Sequence, residues 1–281
     1  MPYTTLISCS ELADYVGNSD WVIIDCRFDL ADTAWGQDQY AEAHIPGARY
    51  AHLDSDLSSP VIPGTTGRHP LPSVEVLART LSKWGIDELT QVVAYDQNGG
   101  MFASRLWWML RWLGHEKVTV LDGGWQRWTE EGLPSDGENP LPEAGSFAPH
   151  LSARLEASTE DVVACLNDPA VQLLDARGAD RFRGENETLD PVAGHIPGAI
   201  SAPFMDNLGP DGCFLEKDRL KQYYTALLGK TAASDAIVYC GSGVTAAHNV
   251  LAMVHAGLDE PRLYAGSWSH WITDQGRPVT V

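Results

Sequence analysis

Four stretches of this chain occur twice, in the same order and at nearly the same distance. Trp21-Val-Ile-Ile-Asp25-Cys-Arg27 returns as Val171-Gln-Leu-Leu-Asp175-Ala-Arg177, shifted by 150 residues, and His44-Ile-Pro-Gly-Ala48 returns unchanged as His195–Ala199, shifted by 151. Gln91-Val-Val-Ala-Tyr-Asp96 matches Ala236-Ile-Val-Tyr-Cys240 at a shift of 144, and Asp122-Gly-Gly-Trp-Gln-Arg-Trp128 matches Ala265-Gly-Ser-Trp-Ser-His-Trp271 at 143. A period this long excludes a solenoid, whose units run about 20–50 residues. It predicts two copies of one domain, each large enough to bury its own core.

Within the first copy, short apolar runs alternate with helical patterns. Strand Val22–Ile24 precedes a helix near Val74–Trp84, strand Val92–Tyr95 precedes a helix over Ala103–Leu113, and strand Val118–Leu121 precedes a helix near Trp125–Glu130. The alternation predicts an α/β fold, each copy a mainly parallel sheet flanked by helices. Leu133 to His150 is rich in Pro, Gly, Glu and Ser with little periodicity and reads as a linker. The expected division is 1–135, a linker at 136–150, and 151–281. The Trp-rich run Leu106–Leu113 is apolar on most faces, which predicts a buried helix. His-Ile-Pro-Gly-Ala reads as a turn in which Pro fixes φ, Gly permits the reversal and the histidine bonds backbone.

Scaffold recurs in a duplicated chain, whereas chemistry need not. Where the first copy ends its strand in Asp96, the second ends in Cys240, followed by Gly-Ser-Gly-Val-Thr and a helical pattern over Ala246–His255. Gly241 and Gly243 let the loop curl so that its N–H groups converge on the sulfur, and the positive end of the next helix points the same way. Such surroundings favour the thiolate, which is the nucleophile. The candidate catalytic unit is therefore the second copy. The five cysteines are scattered, with no C-x-x-C pair and no His–Cys metal spacing, and read as reduced thiols. Cys9, Cys26, Cys165 and Cys213 are expected to pack structurally.

Net charge is −19 with a pI near 4.7, which argues against nucleic-acid and anionic-membrane partners. No apolar run approaches the ~18 residues of a membrane span, and the first residues lack a charged-then-apolar leader pattern. The expected location is the cytoplasm.

The duplicated Asp-x-Arg, His-Ile-Pro-Gly-Ala and (Asp/Ala)-Gly-(Gly/Ser)-Trp motifs, with one Cys loop in the second half, resemble the two-domain rhodanese family of sulfurtransferases over essentially the whole chain. Cys240-Gly-Ser-Gly-Val-Thr245 looks like the loop of the 3-mercaptopyruvate branch; the thiosulfate branch has basic residues after the cysteine. The charges agree with that division, because a compact dianion benefits from cations beside the sulfur and Gly241 and Ser242 are neutral. The resemblance implies a persulfide on Cys240, with Gly241, Gly243, Val244 and Thr245 cradling it, no metal or organic cofactor, and a thiol, thioredoxin or cyanide as acceptor. It also implies that Arg181 holds a small anionic donor, the alternative for Arg181 being a surface ion pair with Asp180 or Glu185. Asp190 stands where mercaptopyruvate enzymes carry a second arginine. Gly67-Arg-His69-Pro-Leu-Pro72 resembles a segment that supplies a histidine, and Asp54 an acidic residue that accompanies it. With Ser242 they form a Ser–His–Asp relay between the two copies, unless His69 is an ordinary loop histidine. Thiosulfate is the alternative donor. A phosphatase loop would need an arginine where Thr245 and Ala246 stand, and a purely binding tandem module would not need Cys240.

Overall fold

The structure, a computed structural model, describes residues 2–139, 143–166 and 168–281. Two compact units account for them: residues 1–59, 72–152 and 210–214 form the first, and 60–71, 153–209 and 215–281 the second. The expected linker at 136–150 includes residues 140–142, which lie outside the described residues.

The first unit is built on a five-stranded sheet in which every pairing is parallel. In chain order its elements are β1 (Leu6–Ile7), α1 (Cys9–Ala13), β2 (Trp21–Asp25), α2 (Trp35–Glu42), β3 (Arg49–Tyr50), α3 (Val74–Lys83), β4 (Gln91–Tyr95), α4 (Ala103–Trp112), β5 (Val118–Leu121) and α5 (Gly124–Glu130). Spatially the strands run β1-β5-β4-β2-β3. Every residue of β4 is buried, as a strand covered on both faces must be, and its continuous apolar sequence was the signal. Helix α4 buries all its residues but Arg111, including three tryptophans, so the Trp-rich run is core.

The second unit repeats the plan with α6 (Thr159–Cys165), β6 (Gln172–Asp175), α7 (Ala179–Phe182), β7 (Ile200–Ser201), α8 (Lys217–Leu228), β8 (Ala236–Tyr239), α9 (Thr245–His255), β9 (Arg262–Leu263) and α10 (Ser267–Trp271). Its parallel order is β7-β6-β8-β9, with β6, β7, β8 and β9 corresponding to β2, β3, β4 and β5. The duplicated motifs prove to be one knot of contacts, tied the same way in each unit. Asp25 at the end of β2 accepts from the Nε/Nη2 edge of the Arg27 guanidinium, and Arg27 Nη2 also reaches the carbonyl of Ala43, next to His44, while the group lies 4.6 Å from the Trp125 ring centre. Asp175 and Arg177 repeat this against the carbonyl of Gly194, next to His195, with Trp268 at 4.8 Å. His44 Nδ1 bonds the Tyr40 carbonyl and His195 Nδ1 the Phe182 carbonyl, so both histidines serve the turns. These buried pairs pin the strand ends from which the next loops depart.

Candidate active site

Strand β8 is buried throughout and delivers Cys240 to the start of the loop that opens α9, leaving the cysteine 2% exposed. The loop closes on the sulfur because Gly243 adopts φ +77°, which aims its amide at Cys240 Sγ 3.1 Å away. A Cβ at Gly243 would run into the Ala265 carbonyl, so no other residue makes this turn. Val244 caps α9 and Thr245 begins it, so Cys240 lies at that helix's positive end. From the other side, α10 docks on the loop by two bonds, Trp268 N to the Cys240 carbonyl and Ser269 N to the Gly241 carbonyl. The first unit makes the same pair, Trp125 N to the Asp96 carbonyl and Gln126 N to that of Gln97.

The first unit also shows what such a loop does with an anion. Asp96, fully buried, accepts amides from Asn98 and Gly100 on one oxygen and from Phe102 and Ala103 on the other. Four donors converge on the carboxylate that stands at Cys240's position in the repeat.

Ser242 Oγ lies 2.7 Å from His69 Nδ1, and both side chains are buried. His69 precedes the linker in sequence yet belongs to the second unit through the segment 60–71, so the pair forms within one unit rather than between the two copies. Asp54 belongs to the first unit, where it is exposed and its amide donates to His52 Nδ1.

Arg181 does not make the surface pair with Asp180 or Glu185. Its Nε and Nη2 grip Glu187 at 2.9–3.2 Å, and Nη2 also reaches Asp190 at 3.1 Å. Asp190 pairs in turn with Nη1 of Arg68. A Cβ at Gly241 would stand 2.7 Å from Arg68 Nη2 and 3.6 Å from both Nη1 and Nη2 of Arg181. Two guanidinium groups thus face the residue next to the candidate nucleophile. Burial pushes the Asp190 carboxyl up, aided by Glu187 and opposed by Arg68 and Arg181. Burial also acts to raise Glu187, but its bonds to Arg181 and to two amides prevail and hold it below the usual range.

The remaining thiols are poor nucleophiles. Burial pushes Cys9 up to about 12 and Cys213 to about 11, and raises Cys26 and Cys165.

Two residues of this site escaped the sequence. Arg68 was visible only as the neighbour of His69. Ser267 Oγ accepts the Cys240 amide at 3.0 Å, donates to the Tyr264 carbonyl and lies 3.9 Å from Cys240 Sγ. Its signal was a mismatch in the repeat: Ser267 stands where the first copy has Gly124, and both adopt positive φ, +55° and +59°.

A buried thiol in a glycine loop, with a Ser–His pair whose serine lies in the same loop and arginines facing its next residue, marks the site of a group-transfer enzyme. The model of the rhodanese-like domain matches residues 8–131 and 158–274, and the chain belongs to the rhodanese family of sulfurtransferases. It is 49% identical over 283 residues to a probable 3-mercaptopyruvate sulfurtransferase of Pseudomonas aeruginosa, covering 100% of this chain and 99% of that one. It is 39% identical to a putative thiosulfate sulfurtransferase, SseB, of Mycobacterium tuberculosis, covering 98% and 96%. Among solved structures, 3-mercaptopyruvate sulfurtransferase from Leishmania major superposes with a TM-score of 0.84 at 30% identity, covering 95% of this chain and 73% of that one.

Proposed function

We propose that this protein moves a sulfur atom from 3-mercaptopyruvate, through a persulfide on Cys240, to a thiol, thioredoxin or cyanide. The observation that carries the reading is the surroundings of Cys240: residues 241–245 of its loop are uncharged, and the cations that approach, Arg68 and Arg181, come from other segments and face Gly241. Cys240 thiolate attacks the donor's sulfur. The sulfur–carbon bond breaks, its electron pair leaves with carbon as the pyruvate enolate, and the proton of the donor thiol ends on that carbon, giving pyruvate and the Cys240 persulfide. Ser242 and His69, at 2.7 Å, are suited to shuttle that proton. Amides of the 241–245 loop favour the charge on the outer sulfur, and Arg181 holds the carboxylate. The acceptor then attacks the outer sulfur and frees the thiolate, which makes the kinetics ping-pong.

After incubation with 3-mercaptopyruvate, the Cys240 peptide gains about 32 Da, the mass of one sulfur, and the Cys240→Ser protein gains nothing. No gain with any donor sinks the proposal. Thiosulfate is the alternative donor, and the ratio of kcat/KM for the two donors decides between them because it reports differential transition-state binding. A cytoplasmic location belongs to the same reading. It is supported by the unpaired state of all five cysteines, and among the described residues no helix is long and apolar enough to cross a membrane.

A further inference from the structure

The cations and carboxylates in front of Cys240 do not pair off evenly. Asp175 is consumed by Arg177, and Glu187 takes the Nε/Nη2 edge of Arg181 with Arg177 at 3.4 Å behind it. Asp190 is different. The bonds its carboxylate accepts come from Arg68 Nη1 and Arg181 Nη2, on the same two guanidinium groups that face Gly241. Its side chain is only 3% exposed, against 31% for Arg68 and 19% for Arg181, so the carboxylate lies behind and the cations in front. Arg68 is set in place by its own amide, which donates to Ser269 Oγ at 3.0 Å, on the helix that docks onto the Cys240 loop.

We propose that Arg68 is a second ligand of the donor's carboxylate, acting with Arg181, and that Asp190 is a built-in carboxylate competing with the donor for the same two guanidinium groups. The placement supplies the reach: both guanidinium groups face Gly241, the residue that follows Cys240, and a three-carbon donor has only two carbon atoms between its sulfur and its carboxylate carbon. Arg181 Nη1 and Arg68 Nη2 are the donors it would meet. Arginine suits the task because its planar fork makes charge-assisted bonds to carboxylates, and Asp190 draws on the same positive charge that the donor's carboxylate needs. The competition gives Asp190 a consequence that a simple ion pair lacks. Removing Arg68 weakens anion capture, whereas neutralising Asp190 strengthens it. The inference rests on the donor being a carboxylate.

The test uses two alkylating probes of Cys240 that differ in charge, iodoacetate and iodoacetamide, with the modified peptide quantified by mass spectrometry in the full-length protein. The ratio of their rates reports carboxylate capture at this site and needs no sulfur transfer. Relative to wild type, Arg68→Met lowers the iodoacetate-to-iodoacetamide ratio on the order of tenfold, the scale of one charge-assisted hydrogen bond. Arg68→Lys, which keeps the charge and guards against a folding defect, lowers it less, and Asp190→Asn raises it. An unchanged ratio in Arg68→Met overturns the proposal. So does a fall in Asp190→Asn parallel to that in Arg68→Met, the result expected if the pair merely fastens the segment 60–71. Persulfide formation from 3-mercaptopyruvate is followed in the same wild-type sample. Its failure alongside the predicted ratios would remove the donor assignment and leave the anion site standing.

Discussion

Replacing Ser267 by glycine and by alanine separates the chemical use of its hydroxyl from the strain of its backbone. Ser267 is the one non-glycine residue with positive φ among the described residues, at +55°, and is fully buried. Both substitutions remove the same oxygen and leave the Cys240 amide, bonded at 3.0 Å, without it; that loss costs about 1–3 kcal/mol in each and cancels between them. What remains is backbone. A left-handed conformation costs an L-residue about 1–2 kcal/mol, while glycine's extra freedom in the unfolded chain costs about 0.5–1 kcal/mol. Ser267→Gly is therefore expected to be more stable than Ser267→Ala by roughly 0.5–1 kcal/mol, the reverse of the usual helix order. Urea unfolding followed by tryptophan fluorescence measures the gap, and sulfur-transfer rates measured in parallel should fall by the same factor in both proteins. Alanine equal to or above glycine in stability refutes the strain argument. A wild-type rate in the glycine variant refutes a role for the hydroxyl.

Gly243→Ala meets the Ala265 carbonyl and a φ of +77°, so it should lose at least about 2 kcal/mol of stability and most persulfide formation; a near-native urea midpoint would contradict the loop geometry. Ser242→Ala breaks the 2.7 Å contact with His69 and should slow transfer from 3-mercaptopyruvate by about 10²-fold or more, the scale of general acid–base catalysis, with smaller loss toward thiosulfate, which has no thiol proton to move. Equal losses with both donors would argue that the pair is structural. Burial, with Lys217 nearby, lowers His255 from 6.5 to about 4, so the fold favours its neutral form. The unfolded chain binds the extra proton between those values, so this contribution to stability is present above pH 6.5 and is lost as pH falls toward 4. His255→Gln should therefore narrow its deficit against wild type, or overtake it, between pH 7 and pH 4.5 in the same unfolding assay; a constant gap would refute the assignment.

The fold was legible because periodicity and duplication reinforced each other. Strand β5 matches its apolar run residue for residue, and α3, α4 and α9 begin within a residue of where the pattern starts. The Asp-x-Arg, His-Ile-Pro-Gly-Ala and Gly-Trp motifs were recognisable as recurring scaffold, but their convergence on one buried ion pair per unit was not, since it depends on how loops return to the strand ends. Cys240 stood out because it broke the repeat, and Ser267 broke it too. Arg68 and His69 were harder to assign, because their segment precedes the linker yet packs with the second unit. No local pattern announces that exchange. The partners of Arg181 were missed for a similar reason: Glu187 and Asp190 face it only because α7 is a single turn, after which the chain doubles back.

The Asp96 carboxylate, held by four amides in the first unit, gives this protein an internal standard. The two loops descend from one design: one carries its carboxylate as part of the chain, and the other, in the function proposed above, takes up its anion as the Cys240 persulfide forms. Burial pushes the Asp96 carboxyl up to about 6, so in samples kept well above that pH the amide resonances of Asn98, Gly100, Phe102 and Ala103 report, at every stage of the reaction, what a charged occupant does to such a loop. Shifts of the Gly243 and Val244 amides on sulfur loading can be read against them, which turns the apparently idle half of the duplication into the calibrant for the working half.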